Sequence, residues 1–430
     1  MTDFFMGCDA SKGYADFIIL DHQKQVIEPV FQLDDTFDGH RHLHHVLVTF
    51  FKTHPDACLY AGVESTGGLE NNWLNFLFRL HDTMPLHAAR INPTGPHALH
   101  KASLERNSSD AISARKIAEY LIAYPEKIRY NADDPFVALR KQYNLIELFK
   151  KQKTQLLNQF SILLYTSMPF LVPYCRQGVP NWLLDLIVRY PSAQKLARAQ
   201  QRTVARIPYV SQKRAARLIN AARQSIGSEA DEQMAIVIKS AAEQIIHLKT
   251  VVEHHKQYLL KHCDLPEVKL LETLPGIGRY SAIGLFLNIV AVERFPTAKH
   301  LASYFGLHPV YKESGDGAGK YRMSKQGRGV PRQILFMVAR SAVLHNPLIK
   351  EVFIQHLRNG KTKMAALGVC MHKILRIIFG MLKHDKPFDP EIDKQNRNNT
   401  RIVPNKDHMT EDKKRRFQPR GKTGGVRTGE

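Results

Sequence analysis

Three acidic residues have the type and the placement needed to bind a divalent cation. Asp9 ends the first apolar run of the chain, Glu64 ends the run CLYAGVE, and Asp110 lies in the first turn of a predicted helix. Any one of them alone would more simply end a strand or begin a helix. If the two strands are neighbours and the helix packs across their ends, the carboxylates converge into an oxygen-rich Mg²⁺ site. Two such ions about 3.5–4 Å apart would serve phosphoryl transfer.

The segment 310–329, VYKESGDGAGKYRMSKQGRG, gathers five glycines, several cations and Ser314. It is one residue short of the GxxxxGK spacing of a nucleotide-binding loop, and Tyr321 stands where that motif has Ser or Thr. A serine hydroxyl is a weak nucleophile unless a base or a metal activates it. The residue types alone therefore favour a phosphate-binding loop over a nucleophile. Its candidate phosphate-binding cations are Lys320, Lys325, Arg328 and Arg332.

The segment LPGIGRYSA at 274–282 has the form of a helix–hairpin–helix turn. Gly276 and Gly278 would let the backbone approach a DNA phosphate, which amides at the next helix N-terminus can bind. An ordinary tight turn is the alternative, and the positive charge of the chain favours DNA. An earlier segment, RIPYVSQKRAARLI, has the same kind of Pro-containing turn leading into a helix, consistent with a degenerate echo of the later one.

The charge of the chain indicates a polyanionic partner. The formal net charge is +21 over 430 residues, and a field of that sign favours nucleic acid over most other partners. The longest apolar run, 281–292, is broken by Asn288 and is too short to cross a bilayer. The N-terminus lacks the layout of a signal peptide, and the five cysteines form no CxxC pair. We therefore expect a cytoplasmic, nucleoid-associated protein with reduced thiols and no membrane.

The elements that must position these residues begin with alternating strands and helices. Short apolar runs predict three strands in a meander, a helix over 38–52, a strand at CLYAGVE, a helix over 71–81 and a strand at HAARIN. The stretch SSDAISARKIAEYLIAY then predicts a helix, with Ser108 or Ser109 as its N-cap. Three strands, helix, strand, helix, strand, helix is the order of an RNase H-like α/β domain.

After Pro135 the pattern becomes helical. Apolar residues recur at heptad steps in two long stretches, which predicts helices packed as a coiled coil or a bundle. After about Lys386 the chain is polar and basic, a composition that cannot bury a core. The fold class is thus α/β plus α. The predicted domains are an RNase H-like (RuvC-like) domain at 1–134, a helical coiled-coil domain at 135–265, a mainly helical domain at 266–389 and a basic tail at 390–430.

A series of short motifs runs in order along the chain. They include MGCDASK at 6–12, GVESTGG at 62–68, SDAISARKIA at 109–118, LPGIGRYSA at 274–282, FGLHP at 305–309, ESG at 313–315 and SKQG at 324–327. In these motifs the chain resembles the DEDD-type transposases of bridge-RNA-guided insertion sequences, relatives of the Piv DNA invertases. The resemblance covers nearly all residues from Phe5 to about Asp389.

This resemblance implies an insertion-sequence recombinase that cuts and rejoins DNA. It implies that Asp9, Glu64 and Asp110 bind Mg²⁺, with two ions possible, and that Ser314 is the nucleophile that holds the cut strand. It also implies a homo-oligomer in which the two halves of the site come from different protomers. A non-coding guide RNA would choose the donor and target double-stranded DNA by base pairing.

One position departs from the family pattern. The family has a second aspartate three residues after Asp110, and this chain has Ser113. Positions i and i+3 share a helix face, so Ser113 is expected to point toward the missing ligand position. Two alternatives remain open: a metal-dependent nuclease or junction resolvase that needs only the carboxylates, and a catalytically impaired nucleic-acid-binding relative.

Overall fold

The computed structural model describes residues 2–102, 109–130, 134–227, 231–310, 322–393 and 395. The chain divides into two compact units, Met1–Asp134 and Pro135–Glu430. Ser314, Lys320 and nearly all of the basic tail lie outside the described residues, so the hypotheses about them stay predictions. The further domain boundaries at 265 and 389 also stay predictions.

The first unit is built on one mixed sheet. Its strands are β1 (Thr2–Ser11), β2 (Tyr14–Asp21), β3 (Val26–Asp34), β4 (Ala57–Glu64) and β5 (Leu86–Ile91). They lie in the order β3-β2-β1-β4-β5. β1 pairs antiparallel with β2 and parallel with β4. β3 pairs antiparallel with β2, and β5 pairs parallel with β4. The predicted meander and both later strands are confirmed.

The burial pattern explains this strand order. β2 and β4 are buried on both faces over most of their length, as strands in the middle of a helix-covered sheet must be. β3 is instead largely exposed and contains Pro29. Proline cannot donate to a strand ladder and is confined to edges and bulges, so β3 belongs at the edge of the sheet.

Helices cover the sheet. They are α1 (Phe37–Thr53), α2 (Asn71–Leu80), α3 (Thr94–Ala102) and α4 (Asp110–Ala123), and a short 3₁₀ helix covers Pro125–Lys127. Two further 3₁₀ helices, Pro169–Cys175 and Val292–Arg294, belong to the second unit. The helices α1, α2 and α4 begin and end within two residues of their predicted bounds. Helix α3 was not predicted from the sequence, because Gly95 and Pro96 are residues that usually break helices. Both lie in its first turn, where proline is tolerated.

The contact between α4 and β1 is unusually close at Gly7. A Cβ atom added there would lie 1.9 Å from the carbonyl oxygen of Ala114 and 2.9 Å from the backbone nitrogen of Ala118. The small side chains of Ala114 and Ala118 are fully buried against the sheet. The helix therefore rests directly on the strand backbone, and this fixes where its first turn lies relative to the end of β1.

Within its described residues, the regular structure of the second unit is helical apart from one short strand pair. Two helices of 31 residues, α5 (Val137–Ser167) and α10 (Glu232–His262), pack against each other. The predicted stripe on α10 is confirmed, since Ile238, Ile245, Val252 and Leu259 are all buried. The other elements of this unit are α6 (Asn181–Arg189), α7 (Ala193–Ala197), α8 (Gln201–Val204), α9 (Gln212–Arg223), α11 (Pro266–Glu272), α12 (Arg279–Ile289), α13 (Ala298–Tyr304), β6 (Pro309–Val310), β7 (Arg322–Met323), α14 (Gly329–His345), α15 (Pro347–Arg358) and α16 (Lys363–His384).

The two long helices pass through two separate cores. One end of each contributes to a core with α6 to α9, and the other end contributes to a core with α11 to α16. The pair thus connects two helical groups.

Helix α16 is long and apolar enough, by length and composition, to cross a membrane. Within the structure, 44% of its most apolar window is buried, and it packs against α11, α13, α14 and α15. The core helix of a soluble protein passes the same test, so this helix is weak evidence for a membrane span.

We expect Gly7→Ala to lower the free energy of unfolding by at least about 2 kcal/mol, because α4 must lift off β1 to admit the new methyl group. Denaturant unfolding of the full chain measures this. The control is Gly380→Ala in α16, where an added Cβ meets no atom within 4 Å. It should be neutral or stabilising. Equal stability of the two variants would show that the contact at Gly7 yields easily.

Candidate active site

The end of β1 and the start of α4 bring Asp9 and Asp110 into one neighbourhood. Asp9 is the third residue from the end of β1, and α4 packs on β1, β2 and β4. Ser109 caps α4 by accepting a hydrogen bond from the amide of Ile112, as the sequence predicts. This cap sets the first turn of α4, in which Asp110 lies, and a carboxylate there is favoured by the helix dipole.

The carboxylate of Asp9 interacts electrostatically with its neighbours. The pKa of Asp9 is raised to about 6, first by burial and second by the carboxylate of Asp110. A hydrogen bond from the Ser113 side chain opposes this rise, and Asp16 adds to it. Ser113 thus acts on the carboxylate of Asp9, and its position in place of a fourth acidic ligand stays a prediction.

Glu64 is the third member of the predicted set. It ends β4, the strand next to β1, and its pKa is raised by burial and then by the carboxylate of Asp9. Glu64 also lines a cavity of about 100 Å³ at the ends of α3 and α4. The other residues lining the cavity are Pro96, His97, His100, Ile112, Ser113 and Lys116. The structure thus brings Asp9 within electrostatic reach of both Asp110 and Glu64.

Sequence reasoning missed Asp16. This residue is 6% exposed and pairs in register with Asp9 across β1 and β2, so both side chains leave the same face of the sheet. Burial raises its pKa, a hydrogen bond from Gln32 opposes this, and Asp110 adds to the rise. The sequence does contain a signal for Asp16. A tight turn between the first two predicted strands sets the register that places Asp16 opposite Asp9.

Two neutral or cationic groups adjoin these carboxylates. The hydroxyl of Tyr14 donates to Oδ2 of Asp110 over 2.9 Å. One turn beyond Ser113, the buried Lys116 forms an ion pair with Glu119, with 3.0 Å between Nζ and Oε2. Lys116 also lines the cavity beside Glu64. The hydroxyl of Tyr14 thus offsets part of the negative charge on Asp110, while Lys116 is paired with Glu119.

The carboxylate side chains of these acids are of a type that binds metal ions, but among the described residues their arrangement does not form a complete metal site. Carboxylate oxygens are the ligands that Mg²⁺ prefers in proteins. Within the described parts of the chain, however, no group of three or more His, Cys, Asp or Glu side chains is arranged to hold a metal ion. Mg²⁺ coordination by Asp9, Glu64 and Asp110 therefore stays a prediction.

The second unit holds the two ends of the segment that contains Ser314. Val310 of β6 pairs with Arg322 of β7, so the flanks of 311–321 lie side by side. The FGLHP and SKQG segments pack closely beyond this pair, since a Cβ on Gly306 would lie 2.6 Å from the carbonyl oxygen of Gln326. The motifs at 305–309 and 324–327, which flank the segment in sequence, thus pack against each other.

The predicted phosphate-binding cations differ in what they contact. Arg332 donates from Nη1 to the carbonyl oxygens of Phe305 and Lys325, at 3.1 and 3.2 Å, and so ties the two loops together. Arg328 lies over the ring of Tyr304, 5.3 Å from its centroid, and is exposed. Lys325 is also exposed. Nucleic-acid binding by these three residues stays a prediction, and Arg332 has a structural role besides.

Close packing explains why one residue of the LPGIG turn, Gly276, is a glycine. Gly276 has φ of +109°, and a Cβ there would lie 2.7 Å from Cα of Ala342 in α14. Gly278 is exposed, and a Cβ there would meet no atom within 4 Å. Gly276 is therefore needed for the turn itself, and DNA contact by either glycine stays a prediction.

Comparison with known proteins places a transposase segment in the second unit. Residues 268–353 match the model of the transposase IS116/IS110/IS902 family. This segment contains the LPGIG turn, the FGLHP and SKQG loops and the stretch with Ser314 between them.

Curated proteins show the same relationship. The pilin gene-inverting protein of Moraxella bovis is 31% identical over 170 residues, which are 37% of this chain and 52% of that protein. The insertion element IS110 43.6 kDa protein of Streptomyces coelicolor is 26% identical over 215 residues, 47% of this chain and 51% of that protein. The chain thus spans about half the length of the curated relatives it matches.

We expect Asp9→Asn to stabilise the metal-free protein at pH 7. The pKa of Asp9 in the folded protein, about 6, lies above its ordinary value of 3.8, so the folded state binds the additional proton. The free energy of unfolding therefore falls as the pH rises from about 4 to about 6. In EDTA, the melting temperature of Asp9→Asn should exceed that of the wild type by about 3 °C at pH 7 and match it at pH 4.

Addition of Mg²⁺ should reverse this order, because only the wild type then gains a bound cation. Asp3→Asn, at an exposed position of the same strand, is the control and should show neither effect. A lower melting temperature for Asp9→Asn in EDTA at pH 7 would contradict the repulsion inferred for these carboxylates.

Proposed function

We propose that this protein is an insertion-sequence transposase, a DNA recombinase that cuts and rejoins DNA through Ser314 with assistance from Mg²⁺-binding carboxylates. The observation that carries the proposal is the coupling of Asp9, Asp110 and Glu64 at adjoining element ends, in a chain whose residues 268–353 match a transposase family. Similarity to pilin gene-inverting proteins supports recombination of DNA.

The topology of the first unit supports an RNase H-like (RuvC-like) domain. An antiparallel meander is followed by two parallel strands in the order β3-β2-β1-β4-β5, with helices between the later strands. In such a sheet the end of β1 and the end of β4 are adjacent, and a helix crosses them. Those are the positions of Asp9, Glu64 and Asp110.

The carboxylates would hold Mg²⁺ in this proposal. Bound Mg²⁺ would stabilise negative charge on the attacking and leaving oxygens of a phosphodiester. The chain contributes the rest: the α4–β1 contact fixes the relative positions of Asp9 and Asp110, and the Tyr14 hydroxyl orients the Asp110 carboxylate. Ser113 supplies a neutral hydrogen-bond donor to Asp9 in place of a further charge.

Ser314 would be the nucleophile. Its Oγ forms a bond to phosphorus as it loses its proton, and the bond from phosphorus to the leaving deoxyribose oxygen breaks. A strand hydroxyl then attacks the phosphoserine, re-forms a phosphodiester and releases the serine. One phosphate ester replaces another at each step, so no external energy source is needed. The exposed Lys325 and Arg328, just beyond the β6–β7 pair, would offset the phosphate charge.

The partners follow from the resemblance and from charge. Double-stranded donor and target DNA, a non-coding guide RNA and a second protomer are proposed, and the net charge of +21 supports binding of polyanions. Support for a homo-oligomer comes from the family resemblance alone. A cytoplasmic, nucleoid-associated location goes with these partners.

One observation favours a second candidate function. Because Ser113 replaces an acid and contacts Asp9, the chain could be a catalytically impaired relative that binds nucleic acid without cutting it. Ser113→Asp separates the two functions. A large gain in cutting would indicate an impaired site, and unchanged cutting would indicate that three carboxylates suffice.

We expect Ser314→Ala to abolish the covalent protein–DNA species while leaving DNA affinity within about twofold, because it removes one neutral hydroxyl and no phosphate-binding charge. Denaturing gel electrophoresis of labelled DNA incubated with the full chain and the RNA that copurifies with it measures the covalent species. Ser303→Ala, at an exposed serine of α13 outside the shared motifs named above, is the matched control and should retain it.

Strand cutting that persists in Ser314→Ala without a covalent species would instead indicate a metal-dependent nuclease. Full recombination by Ser314→Ala would refute the serine mechanism.

A further inference from the structure

Two helical hairpins in the second unit have the same backbone design. We call residues 201–223 (α8, a turn and α9) the basic hairpin and residues 266–289 (α11, a turn and α12) the glycine hairpin. In the basic hairpin the amide of Ile207 donates to Val204 O and that of Val210 donates to Ile207 O, both at 3.1 Å. In the glycine hairpin, Leu274 N to Leu271 O and Ile277 N to Leu274 O repeat this pattern at 3.2 and 3.0 Å.

The turn residues correspond as well. Tyr209 has φ of 65° and Gly276 has φ of 109°, so the residue after proline is left-handed in both turns. Each turn then reaches an extended N-cap residue, Ser211 with φ −72° and ψ 161°, and Gly278 with φ −92° and ψ 160°. The degenerate echo suspected from the sequence is therefore a true structural repeat, although Tyr and Ser replace the two glycines.

The two hairpins differ sharply in charge. The basic hairpin has six cations and no Asp or Glu, whereas the glycine hairpin has two cations and two acids. The formal charges are therefore +6 and 0. The six cations are Arg202, Arg206, Lys213, Arg214, Arg217 and Arg223. The absence of acids extends over 186–228, a stretch that also contains Arg189, Lys195 and Arg198.

The cations of the basic hairpin are available to a partner. Five of the six are exposed, and Arg214 is half-buried. Among the described residues, none of them has a carboxylate oxygen within 4 Å. Arg202 and Arg206 are four residues apart, as are Lys213 and Arg217 on α9. Lys213 and Arg217 can thus present their charges along one side of α9, while Arg202 lies in α8 and Arg206 in the turn that follows it.

The cations of the glycine hairpin form ion pairs with nearby acids of the same unit. Arg279 lies 2.8 Å from Asp264 and 4.0 Å from Glu272, and Lys269 lies 2.9 Å from Asp264. Its turn is also packed against Ala342, as described above. The cations of the glycine hairpin are therefore paired with carboxylates, and its turn is partly covered by α14.

The tip of the basic hairpin is held from within. Nη1 of Arg214 donates to the carbonyl oxygen of Tyr209 over 2.8 Å, and its guanidinium lies over the ring of Trp182, 5.2 Å from the centroid. The Tyr209 side chain is 86% exposed. The arrangement thus presents an unpacked aromatic ring on a fixed turn, flanked by unpaired cations.

We propose that the basic hairpin is a phosphate-binding surface for double-stranded DNA, with Arg202, Arg206 and Lys213 as its main contacts. A surface with charge +6 and no acid fits a regular array of phosphates, which the neutral glycine hairpin does not. An exposed tyrosine adds a group that commonly hydrogen-bonds to the DNA backbone. The inference rests on the proposed DNA substrate and assigns part of its binding to residues outside the 268–353 match.

The test compares the full chain with the triple variant Arg202→Ala/Arg206→Ala/Lys213→Ala. Fluorescence anisotropy of a labelled DNA duplex over a series of KCl concentrations gives the Kd and its salt dependence. Losing three phosphate contacts should weaken binding about tenfold or more and reduce the slope of log K against log salt by about 2 to 3. The control is Lys239→Ala/Lys256→Ala/Lys269→Ala, which removes three positive charges that already have carboxylate partners.

The control should keep its affinity within about twofold, because paired charges release few counterions. Thermal melting checks that both variants are folded, and Arg202, Arg206 and Lys213 are all exposed. Equal affinity and slope for the two variants would overturn the proposal. Loss of affinity for an RNA duplex with unchanged DNA binding would also overturn it, and would assign the surface to RNA. A wild-type chain that binds no DNA would refute the proposed function itself.

Discussion

The close contact of α4 with β1 at Gly7 is the constraint on which the candidate site depends. Backbone lies directly on backbone there, with no room for a methyl group. Because the helix cannot slide or lift without losing this contact, its first turn is fixed beside the end of β1. Asp110, Ser113 and Asp9 meet for that reason, and Glu64 joins them because β4 is the parallel neighbour of β1.

This packing brings like charges together, which opposes folding in the absence of a cation. Asp9 and Asp16 are paired directly across two strands, Asp110 faces both, and burial strengthens the repulsion. The hydrogen bonds from Tyr14, Gln32 and Ser113 offset only part of it. Clusters of this kind are typical of functional sites, where local stability is given up for chemistry. A bound divalent cation would convert the repulsion into attraction.

Much of this architecture could be predicted from local patterns. The apolar runs of β1, β2 and β4 and the heptad spacing of α10 are periodic signals, and the Ser109 cap follows from residue type. The position of α3 could not be read, because Gly95 and Pro96 suit a helix start as well as a loop. The role of Asp16 depended on strand register, and the pairing of FGLHP with SKQG depended on a tertiary contact between Gly306 and Gln326. Charge alone could not show which hairpin has unpaired cations.

Binding of Mn²⁺ as a spectroscopic substitute for Mg²⁺ tests the metal centre most directly. Electron paramagnetic resonance reports the free ion as the full chain is titrated without DNA. We expect wild-type protein to bind Mn²⁺ and Asp110→Asn to bind it at least about tenfold more weakly, because an oxygen ligand is lost. Asp38→Asn, at an exposed acid of the same unit, should bind as the wild type does. Equal Mn²⁺ affinity in Asp110→Asn and the wild type would contradict the assignment of these carboxylates as the metal site.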